Sequence, residues 1–212
     1  MLVTFEGIEG CGKSTQARML YDWLSDSGKS VLLTREPGST PLGEKLRSIL
    51  LNRDSGDISI LSELFLYLAD RSEHVQKVVR PALDQNKMVI IDRYVDSTLV
   101  YQGHGRGFES SFLQDLNYRA SCGVWPDLTF VLDLPPEEGL KRANARNEQN
   151  GMDTQEGRFE AEKLEFHQSI RKGYLDLGRQ ESERIRVLDA LKPVESIFEQ
   201  VKEHVQNKLA SQ

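Results

Sequence analysis

Gly7-Ile8-Glu9-Gly10-Cys11-Gly12-Lys13-Ser14 gathers three glycines, a lysine and a hydroxyl into one short run, and Thr15 adds a second hydroxyl. The run fits G-x-x-x-x-G-K-[ST], a pattern whose chemistry is phosphate binding. Glycines permit positive φ and bring backbone N–H groups against phosphate oxygens. A helix predicted to open at Ser14 turns its free N–H groups and its dipole on the same anion. Lys13 is placed to neutralise β- and γ-phosphate charge, and Ser14 offers a hydroxyl oxygen to Mg²⁺. The residues Gly7 to Thr15 therefore imply a nucleoside triphosphate with magnesium, without saying what is done with it. Cys11 is a small residue in this loop, at a helix N-terminus where a thiol gains reactivity.

A second set of cations surrounds the motif. Arg35 and Arg93 fall just past the second and third predicted strands, Arg71 on the long helix between them. Lys141, Arg142, Arg146 and Arg158 flank "NEQNGMDTQEG", residues 147–157, which is polar and aperiodic and reads as a mobile loop. A GTP-dependent switch would carry N-K-x-D, but Asn86-Lys87 is followed by Met88-Val89 and Asn207-Lys208 by Leu209-Ala210. A motor or remodelling ATPase usually needs a longer chain. A small-molecule kinase needs positive groups for its acceptor and a water-excluding lid, and the arginines supply both. The alternatives are another nucleoside or nucleotide kinase, or a regulatory protein that holds nucleotide without transferring it.

These groups need a frame. Leu2–Glu6, "SVLLTRE", "KMVIIDRY", "DLTFVLDL" and "IRVLDA" read as strands, and the third barely alternates, as expected of a strand buried on both faces. Helices are predicted from Ser14 to Ser27, over "LGEKLRSILL", from Ile60 to about Arg80 (with Pro81 unsettling its end), over 109–120 and "PPEEGLKRANAR", from Phe159 to about Glu183, and from Val194 to Leu209. Alternating strands and helices imply an α/β fold: a doubly wound five-stranded parallel sheet, with ligands at the carboxyl ends of its strands. The 212 residues suit a single domain, 1–212, with a lid at about 142–158.

Composition sets the outer limits. The net charge of −6 argues against a general nucleic-acid or anionic-membrane partner, so any anion site must be locally basic. Two cysteines form no disulfide framework and fit a reducing cytoplasm. "MLVTFEG" has neither the basic start nor the apolar stretch of a signal peptide, and no apolar run approaches a membrane span.

"TREPGST", "DRYVDSTLVYQG", "FEGIEGCGKST", "PDLTFVLDLPPEEGLKR" and "RFEAEKLEFHQSIRKGYLDL" together resemble the bacterial thymidylate kinase family, in order along essentially the whole chain. The DRY…S…YQG run is far more specific than the glycine motif. The resemblance implies a cytoplasmic homodimer that makes dTDP and ADP from dTMP and ATP, in dTTP synthesis for DNA replication. It implies that Glu9 takes the dTMP 3′-hydroxyl and that Arg93 holds the acceptor phosphate. Asp92 would be an outer-shell partner of magnesium beside Ser14. Tyr67 would stack on thymine where the family usually has phenylalanine, and Arg71 would read O4. Thr98 and Gln102 would border the base, with Ser97 in the same run, and Tyr101 would pack against the sugar. Glu36-Pro37 would turn tightly through a cis bond. Lys13, Arg93 and the lid arginines 142, 146 and 158 would carry catalysis. Gly10 stands where another subtype has an arginine, so that charge must come from the lid; Asn144 and Ser39 also depart from the family pattern. His74, His104 and His167 show no ligand spacing and carry no assignment.

Overall fold

A computed structural model of the chain describes residues 1–52, 55–149 and 157–210, with 146–149 described by backbone alone. Five parallel strands, β1 (Leu2–Glu6), β2 (Val31–Arg35), β3 (Met88–Asp92), β4 (Leu128–Asp133) and β5 (Ile185–Asp189), form one sheet in the order β2-β3-β1-β4-β5. Every residue of β1 is buried, which is why it reads as an apolar run. Its neighbours alternate between two cores. Val3, Phe5 and Ile90 pack with helix α1 (Lys13–Asp26) and helix α9 (Val194–Ala210), whereas Leu2, Val89 and Ile91 pack with Val75, Val79 and Ala82 on the other face. Burying two apolar faces is what fixes the pairing register, since a one-residue slip would exchange the two sets.

The register fixes the site. Arg35 and Phe5 both lie level with Asp92, so β1, β2 and β3 end within one residue of each other at one edge. The Arg93 N–H donates to the Phe5 carbonyl at 3.0 Å and the Glu36 N–H to the Asp92 carbonyl at 3.0 Å, extending the ladder into the loops that carry function.

Helix α2 spans Pro41–Leu51, capped by the Thr40 hydroxyl, which accepts from the Gly43 N–H. Helix α3 spans Ile60–His74, and the chain stays helical beyond it, through a π turn at Val75–Val79 into α4 (Arg80–Asp84). Pro81 therefore does not end the helix at about Arg80. A proline lacks the N–H and crowds the carbonyl four residues back, and a widened turn accommodates both defects. A short helix α5 (Val95–Thr98) runs into a second π turn, Leu99–Gly105, which sequence periodicity did not reveal. It is followed by α6 (Ser110–Ala120).

Helix α7 covers Pro136–Gln149, so 147–149 are helical rather than loop, and 150–156 lie outside the described residues. Helix α8 begins at Leu164, not Phe159. Residues 159–161 are a turn instead, because Phe159 is drawn sideways onto Tyr101, at 5.3 Å between ring centroids and nearly perpendicular. Among the described residues no helix is long and apolar enough to cross a membrane.

Candidate active site

The glycine loop leaves β1 at Gly7 and enters α1 at Lys13. Gly10 has φ +70°, and a Cβ there would sit 2.1 Å from the Gly139 carbonyl oxygen of α7. Helix α7 thus rests directly on the loop, and the absence of an arginine at position 10 has a steric cause. Gly7, at φ +136°, is closed in the same way by the Leu132 carbonyl at 2.7 Å. Lys13 curls over the loop, its Nζ donating to the carbonyls of Ile8 at 2.7 Å and Gly7 at 3.2 Å. Ser14 and Thr15 are exposed at the helix start. The Ser14 hydroxyl donates to Asp92 Oδ2, leaving its own lone pairs for a hard cation. Among the described residues no cluster of three or more His, Cys, Asp or Glu could cage a metal. One hydroxyl with a carboxylate behind it suits magnesium, which keeps phosphate oxygens and waters as its other ligands.

Beside the loop lies a cavity of about 310 Å³. It is lined by Glu9, Lys13, Ser14 and Asp92, by Arg35, Pro37 and Arg93, and by Tyr67, Arg71, Ser97, Thr98, Tyr101 and Gln102. The bond Glu36-Pro37 is cis. Every residue assigned to the acceptor nucleotide from sequence therefore faces one space.

Arg93 is the centre of the cavity. It holds φ +67°, unusual for a residue with a side chain, immediately after β3. Its Nη2 donates to Glu9 Oε1 at 2.9 Å and its Nη1 to the Gly7 carbonyl at 3.0 Å, while the guanidinium lies 5.0 Å from the Tyr101 ring centroid. The Tyr101 hydroxyl donates to the same Glu9 oxygen at 2.6 Å. Burial favours the neutral form of Glu9, but His167, Arg93, Lys13 and the Tyr101 hydroxyl outweigh it and hold the carboxyl well below the usual range. His167 Nδ1 lies 3.5 Å from Glu9 Oε2, both groups being buried.

Beneath Arg93 is a buttress that sequence reading missed. Glu6, the last residue of β1, is fully buried and accepts from the Tyr94 N–H at 2.7 Å, the Ser97 hydroxyl at 2.6 Å and the Tyr174 hydroxyl at 2.8 Å. The signal was present: a lone carboxylate closing an otherwise buried strand. Burial first, and the nearby Asp96 charge second, push its pKa up from 4.5 to about 7. The folded protein therefore binds a proton that the unfolded chain releases between those values. Below pH about 4.5 Glu6 is protonated in both states and has no effect. As pH rises through the window it lowers stability. Glu6→Gln should gain stability over the natural chain between pH 5 and pH 8, read as urea midpoints. An identical pH slope in both proteins would refute this.

Arg71 lines the cavity from α3 with its N–H groups engaged. It is buried, with Nε on Glu36 Oε2 at 2.9 Å, Nη1 on Thr98 at 2.7 Å and Asn117 at 2.6 Å, and Nη2 on the Tyr94 carbonyl at 3.0 Å and on Glu36. His74, unassigned from sequence, bridges Glu36 at 2.9 Å and Thr34 at 2.8 Å. Of the arginines assigned to the lid from sequence, Arg142 donates to Glu138 at 2.8 Å and the Ala190 carbonyl at 3.3 Å and does not line the cavity. The Arg146 side chain lies outside the described residues. Arg158 does line the cavity, where it donates to the Leu50 carbonyl at 2.6 Å and to Glu63 at 2.5 Å.

A glycine loop at the carboxyl edge of a 2-3-1-4-5 parallel sheet, opening on a nucleotide-sized cavity lined with arginine, defines a P-loop protein of the nucleoside monophosphate kinase type. The comparison with known proteins narrows this. The family model described as thymidylate kinase matches residues 5–201. Thymidylate kinase of Nitratidesulfovibrio vulgaris (strain DSM 19637 / Miyazaki F) is 53% identical over 211 residues, spanning 100% of this chain and 98% of that protein. That of Oleidesulfovibrio alaskensis is 54% identical over 205 residues, 97% of each. The crystal structure of thymidylate kinase from Ehrlichia chaffeensis superposes with a TM-score of 0.76 at 33% identity, covering 97% of this chain and 98% of that one. The chain belongs to the thymidylate kinase family.

Proposed function

We propose that the protein transfers the γ-phosphoryl group of ATP to dTMP, giving ADP and dTDP. The observation that carries this is that Lys13, Arg93 and Glu9 line one cavity with the acceptor residues, Arg93 donating both to Glu9 and to the Gly7 carbonyl of the glycine loop. ATP phosphates lie along Gly7 to Thr15, and dTMP fills the cavity, its phosphate on Arg93 with Arg35 nearby. Glu9, ionised and already accepting from Tyr101, takes the 3′-hydroxyl, and Tyr101 occupies the sugar face. Tyr67 offers its ring to the base.

The acceptor is a phosphate monoester, largely dianionic near pH 7 because its second pKa is about 6. Its oxygen is already a nucleophile, so the protein needs no general base. The barrier is the approach of two polyanions in line, and Lys13, Arg93 and the lid arginines lower it by placing positive charge where the transferring group passes. Magnesium, held through Ser14 with Asp92 behind it, would supply charge neutralisation at the phosphates. Arg158 reaches that position only by leaving Glu63, a closing motion in which residues 142–158 act as the lid.

The chain works, in this reading, as a cytoplasmic homodimer. Exposed apolar side chains on α2 (Leu42, Ile49), α3 (Leu61, Phe65) and α6 (Phe112) support a self-association face. A monomeric mass by sedimentation at micromolar concentration would contradict it. The activity is tested by ADP release with dTMP, dUMP, dCMP, AMP and thymidine in turn. Turnover should be greatest with dTMP, and preference for any other acceptor would sink the proposal.

A further inference from the structure

We propose that Glu63 is a positioning residue for base recognition: it fixes which edge of the Gln102 amide faces the cavity. The inference rests on dTMP being the acceptor. Glu63 lies on α3, one turn before Tyr67 and two before Arg71, and is buried behind the cavity wall. Its Oε1 accepts from Gln102 Nε2 at 2.9 Å, and its Oε2 accepts from Arg158 Nη2 at 2.5 Å. Arg106 donates to both oxygens, from Nε at 3.3 Å and Nη2 at 3.2 Å. Burial alone would favour the neutral acid, but Arg106, Gln102 and Arg158 outweigh it and lower the pKa.

An ionised carboxylate has only lone pairs to offer, so only the NH₂ edge of an amide can face it. The oxygen of Gln102 is thereby turned to the other side, and Gln102 lines the cavity. The neighbouring Thr98 is fixed in the opposite sense. It accepts from Arg71 Nη1 at 2.7 Å, so its own hydroxyl proton remains to be given. The wall thus offers an acceptor at Gln102 beside a donor at Thr98. The Gln102 oxygen complements a pyrimidine with N–H at position 3. Cytosine presents a ring-nitrogen lone pair there and would oppose acceptor to acceptor at Gln102. Buried polar groups left unpaired in this way discriminate strongly.

Glu63→Gln tests the assignment. A glutamine can turn either amide edge to Gln102, so Gln102 is no longer held in one orientation. The ratio of kcat/KM for dTMP over dCMP should fall at least tenfold, with KM for dTMP rising more than kcat falls. The exchange variant E63Q/Q102E restores one carboxylate and one amide, the amide now donating from position 63 and the carboxylate offering its second oxygen to the base. It should recover the preference for dTMP. A role confined to folding would lower the melting temperature and leave the ratio unchanged. Should E63Q not fold, the exchange variant alone decides: a retained dTMP preference supports the proposal and a lost one overturns it. An unchanged ratio in folded E63Q also overturns it. The natural protein is assayed alongside; its failure to use dTMP would overturn the activity itself, whereas a change absent only in the variant removes only the role of Glu63.

Discussion

Lys13→Ala should lower kcat by about a thousandfold, which corresponds to the roughly 3–4 kcal/mol that one preorganised electrostatic contact contributes to a transition state. Among the described residues the side chain forms no ion pair, and it rests on the carbonyls of Gly7 and Ile8, so its charge is available to an anion seated in the loop. Its removal takes away transition-state stabilisation more than ground-state binding, and kcat and kcat/KM should fall together. Melting temperatures should change little, because Lys13 contributes no more than its loop contacts to stability. Steady-state kinetics with dTMP decide the matter, and turnover near that of the natural chain would exclude Lys13 from the reaction.

Arg93→Ala should have a loss of similar or greater size, divided differently. Arg93 meets Glu9, the Gly7 carbonyl and the Tyr101 ring at once, so it positions the acceptor as well as stabilising charge. KM for dTMP should rise and kcat fall, with kcat/KM down by a thousandfold or more. The fold should suffer too, since the buried Glu9 carboxylate loses its main counter-charge, a change that costs about 3–5 kcal/mol when a pair is well buried. Arg93→Lys retains charge without the planar fork and should recover stability better than kcat/KM. Steady-state kinetics and thermal melting on both variants separate the two effects. An alanine variant with normal KM for dTMP would contradict the placement of the acceptor phosphate.

Much of this arrangement was legible in the sequence because it is local or strictly periodic. The glycine loop is contiguous, the strands are apolar runs closed by Glu6, Arg35 and Asp92, and α3 places Tyr67 and Arg71 one turn apart. What escaped depends on contacts between distant segments. Nothing near Glu63 in the chain announces Gln102, Arg106 and Arg158, which converge on it only when α3, the π turn and the segment leading into α8 pack together. The same holds for Phe159. A helix beginning there satisfies the periodicity, yet the ring contributes more by packing against Tyr101 and Phe166. The π turn at Leu99–Gly105 escaped because its five-residue hydrogen bonding has no distinct apolar signature, though it carries Tyr101 and Gln102 to the cavity. Arg71 lies on the cavity as its helix position implies, but its contacts with Glu36, Thr98, Asn117 and the Tyr94 carbonyl come from distant segments and could not be read from the sequence.

The same cation-rich edge exists in a chain of net charge −6, so the positive potential is built locally by Lys13, Arg35, Arg47, Arg93 and Arg158 around the cavity rather than by the molecule as a whole. Attraction of two anionic nucleotides to this edge follows from that placement.

The most direct measurement follows the phosphoryl group itself. With ATP labelled at the γ-phosphorus, magnesium and dTMP, the label should appear in the β-position of dTDP, with as much ADP formed as dTDP. Label released as inorganic phosphate at that rate, or retained on ATP while dTMP stays unchanged, would contradict the account.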